Sequence, residues 1–445
     1  MSIYHLIGIG GIGMSALARI LKQRGHTVRG SDQKNSLLIE QLKKEGIGVQ
    51  IGHSPHLVGG ADIVVYSSDI PKNHVEITKA LELNLPLLHR SDLLHDCMQG
   101  KKPLLVTGTH GKTTTTSLLA HVLLNTSFDP SFVVGGIVLA LETNGRSGQG
   151  EFFVAEADES DGSFLKSKSF GAIVTNLEND HLSYWKTPAH LDEGFKVFFA
   201  QAEHPEHLFW CADDPRLQAL SPPGHSYGFS DRAHWRLQNF RSTEKGTFWD
   251  LCHKTETYPN LEVPLFGRHN ALNASAAFAL ALTIGADPAS LQTALRSFQG
   301  VHRRLEWKKE HKTIQLFDDY GHHPTEISAT LSALRARIGS KRAIVVFQPH
   351  RYTRVQELLE EFCSCFEHAD QIILTDIYSA GEPPIEGLFS SLKNKMEQQL
   401  GPKLHYFPRD TLEKNTADLL KPHDVVLTLG AGDITYAGEK ILEWL

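Results

Sequence analysis

The sequence contains no apolar run that is long enough to cross a membrane as a helix. Such a helix needs about 18 or more consecutive apolar residues, and no segment of this chain approaches that length. No basic residues precede the apolar residues of the N-terminus, so a secretory signal peptide is not indicated either. We therefore expect a soluble, cytoplasmic protein that does not enter membranes.

An excess of positive charge is also lacking. The 44 Lys and Arg residues stand against 51 Asp and Glu residues, which gives a formal net charge of −7. Nucleic acids and anionic membrane surfaces attract basic proteins, so neither is expected as the main partner. An anionic ligand must instead be bound by a few local residues.

Paired cysteines are absent as well. The five cysteines are odd in number and do not have the spacing of a metal finger; they are Cys97, Cys211, Cys252, Cys363 and Cys365. Reduced thiols in a cytosolic protein are the expected state.

The length of the chain and the order of its apolar segments indicate three α/β domains. A chain of 445 residues corresponds to about three domains, at roughly 100–200 residues each. Strand-like and helix-like segments alternate up to about residue 94, and residues 99–103 then resemble a linker. We place the domains at residues 1–97, 98–302 and 303–445.

Residues 104–116 have the pattern of a phosphate-binding loop. A strand-like run is interrupted by Gly108 and Gly111, and a helical pattern follows. The N–H groups of a helix start, the cation of Lys112 and the hydroxyl of Thr113 are what a phosphate chain and its magnesium ion need. The motif T-G-T-H-G-K-T-T is a shortened variant of the Walker A loop. A plain glycine turn before a threonine-rich helix is the alternative.

A second glycine-rich turn follows the first predicted strand. The sequence G-I-G-G-I-G occupies residues 8–13, and Asp32 stands about where a ribose-binding acid would stand in a dinucleotide fold. The pattern predicts a diphosphate at a helix N-terminus. Taken alone, it also fits a nicotinamide-dependent enzyme or a tight turn that binds no ligand.

Two further strand-like segments end in polar residues that suit a metal ion. One runs into E-A-D-E-S-D at residues 156–161, and the next runs into E-N-D-H at residues 178–181. Open α/β sheets collect ligands at the carboxyl ends of their strands, and Mg²⁺ prefers hard oxygen ligands beside phosphates. Next to a phosphate loop these ends predict a magnesium site, whereas an acidic run alone is usually a solvated loop.

Two pairs of polar residues have helical spacing. Asn270 and Asn273 lie one predicted turn apart, so both amides can meet a planar edge such as a purine; an N-cap and a polar helix face are the alternative. Arg351 and Arg354 lie just beyond a predicted strand, which suits capture of a carboxylate by two guanidinium groups. Surface arginines without a ligand are the alternative there.

Seven motifs together resemble those of the Mur ligases. They are G-I-G-G-I-G-M-S, T-G-T-H-G-K-T-T, E-A-D-E-S-D, N-L-E-N-D-H, G-R-H-N-A-L-N-A, D-D-Y-G-H-H-P-T-E and F-Q-P-H-R-Y-T-R, and they extend from residue 8 to residue 354 in the family's order. The resemblance implies an α/β protein with a Rossmann-like N-terminal domain for a UDP-sugar, a central P-loop-type ATPase domain, and a Rossmann-like C-terminal domain for the amino acid. The site forms where these domains close together.

The activity that the resemblance implies is ATP-dependent amide formation in peptidoglycan precursor synthesis. The motifs look most like those of the branch that joins L-alanine to UDP-N-acetylmuramate. A murein-peptide-recycling ligase, which accepts a preformed tripeptide, is the related alternative, and residues 318–323 and 347–354 fit it less well. A nicotinamide oxidoreductase is favoured by the first glycine motif alone. A non-catalytic nucleotide sensor is disfavoured by the complete set of motifs.

The resemblance also implies roles for individual residues. ATP would be bound by Gly108, Thr109, His110, Gly111, Lys112, Thr113, Thr114, His269, Asn270, Asn273, Arg304 and Asp319. Mg²⁺ would be held by Thr113, Glu156 and His181; the UDP-sugar by Gly8, Gly10, Gly11, Gly13 and Asp32; and L-alanine by Tyr320, His322, Arg351 and Arg354. Lys112 and Arg304 would contact the transferred phosphoryl group, and His322 is one candidate for the base that accepts the amine proton. Lys196 falls about where several sister ligases carry a carbamylated lysine, a modification that does not characterise this branch.

Overall fold

The computed structural model describes residues 1–445, and the chain divides into two compact units. The first unit comprises residues 1–239, 249–263 and 272–299; the second comprises residues 240–248, 264–271 and 300–445. No helix is long and apolar enough to cross a membrane. All five cysteines are free thiols. Three sheets with flanking helices confirm the predicted α/β class.

A five-stranded sheet forms the N-terminal part of the first unit. Its strands are β1 (Ile3–Ile7), β2 (Thr27–Asp32), β3 (Gly48–Ile51), β4 (Ile63–Tyr66) and β5 (Leu87–His89), and its helices are α1 (Ile12–Gln23), α2 (Leu37–Lys44), α3 (Val75–Glu82) and α4 (Arg90–Met98). The strands are parallel, in the order β3-β2-β1-β4-β5. Strands β2 and β3 lie on one side of β1, and β4 and β5 lie on the other side. The strand order therefore reverses at β1, and open α/β sheets bind ligands at the carboxyl end of the strand where this reversal occurs.

A buried carboxylate ties helix α3 to this sheet. Glu76 is fully buried, and its carboxylate lies 2.7 Å from His5 Nε2 and 3.1 Å from His53 Nδ1. It also accepts hydrogen bonds from Ser31 Oγ at 2.8 Å and from the backbone N–H of Ser54 at 3.2 Å. Burial alone raises the pKa of a carboxyl group, but the hydrogen bonds with His5, Ser31 and His53 and the charge of His5 together outweigh it, and the pKa of Glu76 is lowered.

We expect Glu76→Gln to destabilise the chain at neutral pH by about 1–3 kcal/mol, because it leaves buried partners of the carboxylate unsatisfied. The folded-state pKa lies below the ordinary value of 4.5, so this stabilisation is complete above pH 4.5 and is lost as the pH falls through the folded-state value. Urea unfolding at pH 7 and at about pH 4 should show the gap between wild type and variant narrowing in acid. An equal gap at both pH values would show that the charge of Glu76 contributes nothing.

The central sheet, most of which belongs to the first unit, has ten strands. They are β6 (Lys102–Thr107), β7 (Ser131–Val138), β8 (Thr143–Arg146), β9 (Phe152–Glu156), β10 (Gly171–Val174), β11 (Leu208–Cys211), β12 (His225–Gly228), β13 (Trp235–Thr243), β14 (Gly246–His253) and β15 (Glu256–Val263). Their order is β15-β14-β13-β12-β11-β10-β6-β9-β7-β8. Because β6 lies between its parallel neighbours β9 and β10, the three polar segments that follow these strands start at the same edge of the sheet.

Six helices accompany these strands: α5 (Lys112–Leu124), α6 (Leu182–Trp185), α7 (Pro188–Ala200), α8 (Pro215–Leu220), α9 (Arg268–Thr283) and α10 (Pro288–Arg296). Helix α5 is buried from Thr113 to Leu123, even though it begins with four threonines and a serine. Some of these hydroxyls bond within the helix: Thr116 Oγ1 donates to the Lys112 carbonyl at 2.8 Å, and Ser117 Oγ to the Thr113 carbonyl at 2.7 Å. These hydrogen bonds lower the cost of burying polar side chains at the start of the helix.

Helix α1 is fixed against the β7-β8 hairpin of the central sheet. A Cβ atom on Gly145 would lie 2.5 Å from the Ala16 carbonyl oxygen, so the two backbones touch there. Asn144 donates to the Ile12 carbonyl at 2.5 Å and to Ser15 Oγ at 2.9 Å, and the buried Arg19 guanidinium also bonds to Asn144. These contacts hold the glycine turn at the start of α1 in a fixed position relative to the central sheet.

The second unit contains a six-stranded sheet. Its strands are β16 (Glu306–His311), β17 (Ile314–Asp319), β18 (Ala343–Phe347), β19 (Gln371–Leu374), β20 (Leu404–Tyr406) and β21 (Val425–Leu429), in the order β16-β17-β21-β18-β19-β20. The edge strand β16 is antiparallel to β17, and the other pairs are parallel. The helices are α11 (Pro324–Ile338), α12 (Tyr352–Glu357), α13 (Leu359–Ser364), α14 (Leu388–Leu400), α15 (Leu412–Leu419) and α16 (Ala437–Glu443).

Alternate residues of the central strands in this sheet enter two apolar clusters. Phe317, Val345 and Leu427 belong to one cluster, and their neighbours Leu316 and Ile344 to the other. Since successive side chains of a strand point to opposite faces, the sheet is covered by apolar residues on both sides. Polar residues therefore gather where β17, β18 and β21 end.

Candidate active site

The phosphate loop lies between β6 and α5 in a conformation that needs glycine. Gly108 has φ +121° and Gly111 has φ +81°, both in the range that side chains disfavour. A Cβ atom on Gly108 would also lie 2.3 Å from Thr175 Oγ1. Gly111 is the N-cap of α5, so the first N–H groups of the helix have no intrahelical acceptor. These N–H groups and the positive end of the helix dipole suit an anionic phosphate chain.

Asn176, just after β10, holds this loop in shape. Its side-chain oxygen accepts the backbone N–H of His110 at 2.8 Å, and its amide nitrogen donates to the His110 carbonyl at 3.0 Å. Thr175 Oγ1 donates to the same carbonyl at 2.6 Å, and Thr109 Oγ1 accepts the N–H of Glu178 at 2.8 Å. The loop is therefore preorganised by the neighbouring strand end.

Lys112 points into the loop and is paired with a buried glutamate. Its ammonium lies 2.8 Å from Glu159 Oε1, 2.6 Å from the Gly108 carbonyl and 3.2 Å from the Thr109 carbonyl. Burial opposes the charge on Lys112, but attraction to Glu159, Asp158 and Glu156 together outweighs burial, and the pKa of Lys112 is raised. Burial raises the pKa of Glu159 to about 7 against the pull of Lys112. The lysine is thus held as a cation.

The three residues predicted for magnesium lie around this pair. Thr113 Oγ1 donates to Glu156 Oε2 at 3.3 Å, and Glu156 Oε1 accepts the N–H of Gly135 at 2.6 Å. His181, in the left-handed conformation with φ +57°, has its Nε2 3.9 Å from Glu159 Oε1. Glu159 is 2% exposed, and its Oε2 has no hydrogen-bond partner. Hydroxyl and carboxylate oxygens with one imidazole are a donor set that fits Mg²⁺ beside phosphates.

The turn predicted for the UDP-sugar is closed by Asp32. Asp32 Oδ2 accepts the N–H of Gly10 at 2.9 Å, and Gly8, with φ +73°, donates its N–H to the Ser31 carbonyl at 2.8 Å. Arg90 is not part of any predicted motif, yet its side chain packs against Gly13, where a Cβ atom would lie 3.2 Å from the Arg90 side chain. Its guanidinium is 4.0 Å from Asp158 Oδ2 and offers a cation between the glycine turn and the acidic loop.

The residues predicted for adenosine occur at the start of α9. Asn270 and Asn273 lie one turn apart on this helix, as predicted. Asn273 adjoins the phosphate loop, because a Cβ atom on Gly111 would lie 3.1 Å from its Oδ1. Asn270 Nδ2 donates to the Phe266 carbonyl at 2.8 Å, so this amide also caps the chain that enters the helix. Burial lowers the pKa of His269 to about 4, which makes it a neutral imidazole at pH 7.

In the second unit, Arg304, Asp319 and Tyr320 form one group. Asp319 accepts the N–H of Leu305 at 2.6 Å and the N–H of Gly321 at 2.7 Å. Burial raises the pKa of Asp319 to about 6, although the charge of Arg304 acts in the opposite direction. The Tyr320 ring lies 5.4 Å from the Arg304 guanidinium, at cation–π distance.

A second group in the same unit contains His322 and the two predicted arginines. Arg351 is the N-cap of α12 and has φ +69°, a strained conformation for a residue with a side chain; its NH1 lies 3.7 Å from Glu382 Oε1. Burial lowers the pKa of His322 to about 4, and the positive charge of Arg354 contributes to this shift. His350, which the sequence did not single out, lies 5.6 Å from His322 between ring centroids and stacks on Tyr378.

The predicted Lys196 lies on the surface of α7. Its side chain is 54% exposed and its ammonium is 3.4 Å from Glu193 Oε2. Glu159, Asn176, Arg90 and His350 are the site residues that sequence reasoning missed. Glu159 and Asn176 were inside recognised motifs, but nothing in a sequence tells which carboxylate of E-A-D-E-S-D faces the lysine.

The chain belongs to the Mur ligase family. It matches the family's models in three consecutive parts: the Mur ligase family catalytic domain at residues 3–102, the Mur ligase middle domain at residues 106–281, and the glutamate ligase domain at residues 303–432. The resemblance seen in the seven motifs is thereby confirmed, as is the three-domain Mur ligase architecture. The domain boundaries at residues 97/98 and 302/303 stay predictions.

Individual relatives carry more specific names. The UDP-N-acetylmuramate–L-alanine ligase of Protochlamydia amoebophila is 45% identical over 444 residues, which cover 99% of this chain and 98% of that protein. The structure resembles that of the UDP-N-acetylmuramate–alanine ligase of Thermotoga maritima, with a TM-score of 0.86, 28% identity, and coverage of 100% of this chain and 99% of the other. A murein peptide ligase of Psychrobacter arcticus shares the fold with a TM-score of 0.75, 22% identity, and coverage of 100% and 98%.

Proposed function

We propose that this chain joins L-alanine to the lactyl carboxylate of UDP-N-acetylmuramate with ATP, releasing ADP and phosphate, in cytoplasmic synthesis of the peptidoglycan precursor. The phosphate loop with Lys112 beside two acidic strand ends is the observation that carries the ATP chemistry. The 45% identity to a ligase of this name supports the choice of substrates. Neither nucleic acid nor membrane is proposed as a partner.

The chemistry explains why a cationic phosphate loop is needed. A carboxylate anion is a poor electrophile, so one of its oxygens first attacks the γ-phosphorus of ATP, the bond to the β-phosphate oxygen breaks, and ADP leaves. Lys112 offsets the negative charge of the phosphoryl group during this transfer, and Arg304 is proposed to contact the same group. The first N–H groups of α5 orient the phosphates.

Mg²⁺ is proposed as the partner of ATP. Thr113, Glu156 and His181 would hold it. The buried Oε2 of Glu159, which has no hydrogen-bond partner, would be stabilised by a cation nearby. When bound, the ion supplies further positive charge to the phosphate oxygens.

The amine of L-alanine then attacks the acyl phosphate, loses a proton, and a tetrahedral intermediate collapses to the amide and phosphate. Arg351 and Arg354 are proposed to hold the alanine carboxylate so that the amine faces the acyl carbon. His322, with a pKa of about 4, is neutral at pH 7 and can accept a hydrogen bond from the amine. That pKa is too low for it to retain the proton, so we assign it to orientation of the amine and leave proton uptake to a carboxylate or water.

Phosphate release tests the proposal. The chain is supplied with ATP, Mg²⁺, UDP-N-acetylmuramate and each amino acid in turn. We expect release with L-alanine and little with other amino acids. The murein peptide ligase fold is also similar, so L-alanine and a tripeptide acceptor should be offered in competition. Preference for the tripeptide would reassign the chain to peptide recycling.

A further inference from the structure

We propose that Glu159 is a positioning residue that exchanges partners when nucleotide binds: it holds the Lys112 ammonium until then, and it turns to the cation beside His181 once the phosphates engage Lys112. The inference rests on the proposed ATP site and adds a residue to which neither the motifs nor the relatives assign a role.

All hydrogen-bond donors of Lys112 are in use in the structure. An ammonium has three N–H groups, and Lys112 has three acceptors, at 2.6 Å, 2.8 Å and 3.2 Å. A contact with phosphate must therefore replace at least one of them. Two acceptors are carbonyls of the loop itself, whereas Glu159 arrives from the segment after β9. In its ionised form Glu159 competes with phosphate for the same ammonium, so this contact is the one to be exchanged.

Glu159 cannot be left without a cation after the exchange. Its side chain is 2% exposed, and its Oε2 already lacks a hydrogen-bond partner while Lys112 occupies Oε1. An unpaired buried carboxylate is costly, so the departure of Lys112 favours entry of another positive charge. His181 Nε2 lies 3.9 Å from Oε1 and provides a second ligand at that place. Nucleotide and divalent cation are thus coupled through one carboxylate.

The backbone around Glu159 is anchored, so the exchange needs only a side-chain movement. The Glu159 carbonyl accepts the indole N–H of Trp185 at 2.9 Å and the N–H of Gly162 at 3.2 Å. Trp185 ends helix α6, which begins directly after His181. This arrangement keeps the backbones of Glu159 and His181 at a fixed separation while the side chains move.

The test compares the wild-type chain with Glu159→Gln, using a non-hydrolysable ATP analogue in calorimetry with EDTA and with Mg²⁺. The neutral amide of glutamine competes for the ammonium much more weakly than a carboxylate does, so the variant should bind the analogue about tenfold tighter than wild type in EDTA. The gain in affinity from Mg²⁺ should be about tenfold smaller in the variant. Glu193→Gln, on the exposed surface of α7, is the charge-matched control and should change neither value.

A variant that weakens binding by the same factor in EDTA and in Mg²⁺ would overturn the proposal, because Glu159 would then be a static structural counter-ion. A second arm does not depend on folding of Glu159→Gln. In Lys112→Ala without nucleotide, Glu159 has lost its ammonium, so Mn²⁺ measured by electron paramagnetic resonance should bind about tenfold tighter than to wild type. Unchanged Mn²⁺ affinity would also overturn it. If the wild-type chain binds no analogue even with Mg²⁺, the proposed ATP site itself is wrong.

Discussion

Lys112→Ala is expected to lower the rate of turnover by about two to four orders of magnitude, the scale found when one group that stabilises developing charge is removed. The ammonium is held at the phosphate loop by two carbonyls and Glu159, so no other side chain of the loop supplies an equivalent charge. The measurement is steady-state phosphate release with ATP, UDP-N-acetylmuramate and L-alanine, with thermal unfolding as the test of folding.

Lys168→Ala is the matched control, because Lys168 is an exposed lysine of the same unit. It should retain the wild-type rate. Retention of more than a tenth of the activity in Lys112→Ala would remove this loop from the chemistry. Because that substitution also leaves the buried Glu159 without its ammonium, a lower thermal midpoint is expected alongside the lost activity.

The apolar parallel strands of the fold are predictable from sequence because both faces of such strands are buried. The structure has strands at Ile3–Ile7, Ile63–Tyr66, Ala343–Phe347 and Val425–Leu429, where the apolar runs predict them. Edge strand β16, with the sequence E-W-K-K-E-H, has no such run. This strand is held in the sheet by its pairing with β17 alone. Its polar sequence does not indicate that it pairs with another strand.

The start of α5 shows a different limit of sequence reasoning. The apolar spacing that indicates this helix begins only at about residue 117, whereas the helix itself begins at Lys112, as its phosphate-binding role predicts. Threonine is a poor helix former because it loses side-chain freedom and its hydroxyl competes for backbone groups. Here the helix lies in the core, and the Thr116 hydroxyl bonds to a carbonyl of the preceding turn. Tertiary packing outweighs the local preference.

The candidate site was predictable as a set of strand ends but not as a network of contacts. The phosphate loop and both acidic segments were recognised because each follows an apolar run, and the structure brings them to neighbouring strands β9, β6 and β10. The pairing of Lys112 with Glu159 depends on side-chain directions after the strand ends. Such directions are set by loop geometry, which a single sequence does not specify. The roles of the individual residues stay predictions.

Arg351→Ala is expected to raise the KM for L-alanine by tens-fold or more, while the KM for ATP changes little. L-Alanine offers a carboxylate, an amine and one methyl group, and burial of a methyl group contributes only about 1 kcal/mol. Most of its binding free energy must therefore come from the carboxylate. The Arg351 side chain is 44% exposed, so its pairing with the carboxylate is strong only where bound substrate excludes water; loss of one partner of a charge pair buried in this way costs about 2–5 kcal/mol.

The geometry explains why the residue at this position should matter. Arg351 has a strained φ of +69°, and its backbone N–H donates to the Tyr378 carbonyl at 2.9 Å. The fold therefore holds the backbone of Arg351 in one conformation, although that conformation costs free energy. Its guanidinium lies 3.7 Å from Glu382, a weak contact that a substrate carboxylate can replace. Steady-state kinetics with varied L-alanine and with varied ATP give both KM values. L-Alaninamide, which lacks the carboxylate charge, should be a poor substrate of the wild-type enzyme, and its KM should respond little to Arg351→Ala. If the variant instead loses affinity for ATP or for the UDP-sugar while the alanine KM stays constant, Arg351 belongs to a phosphate site.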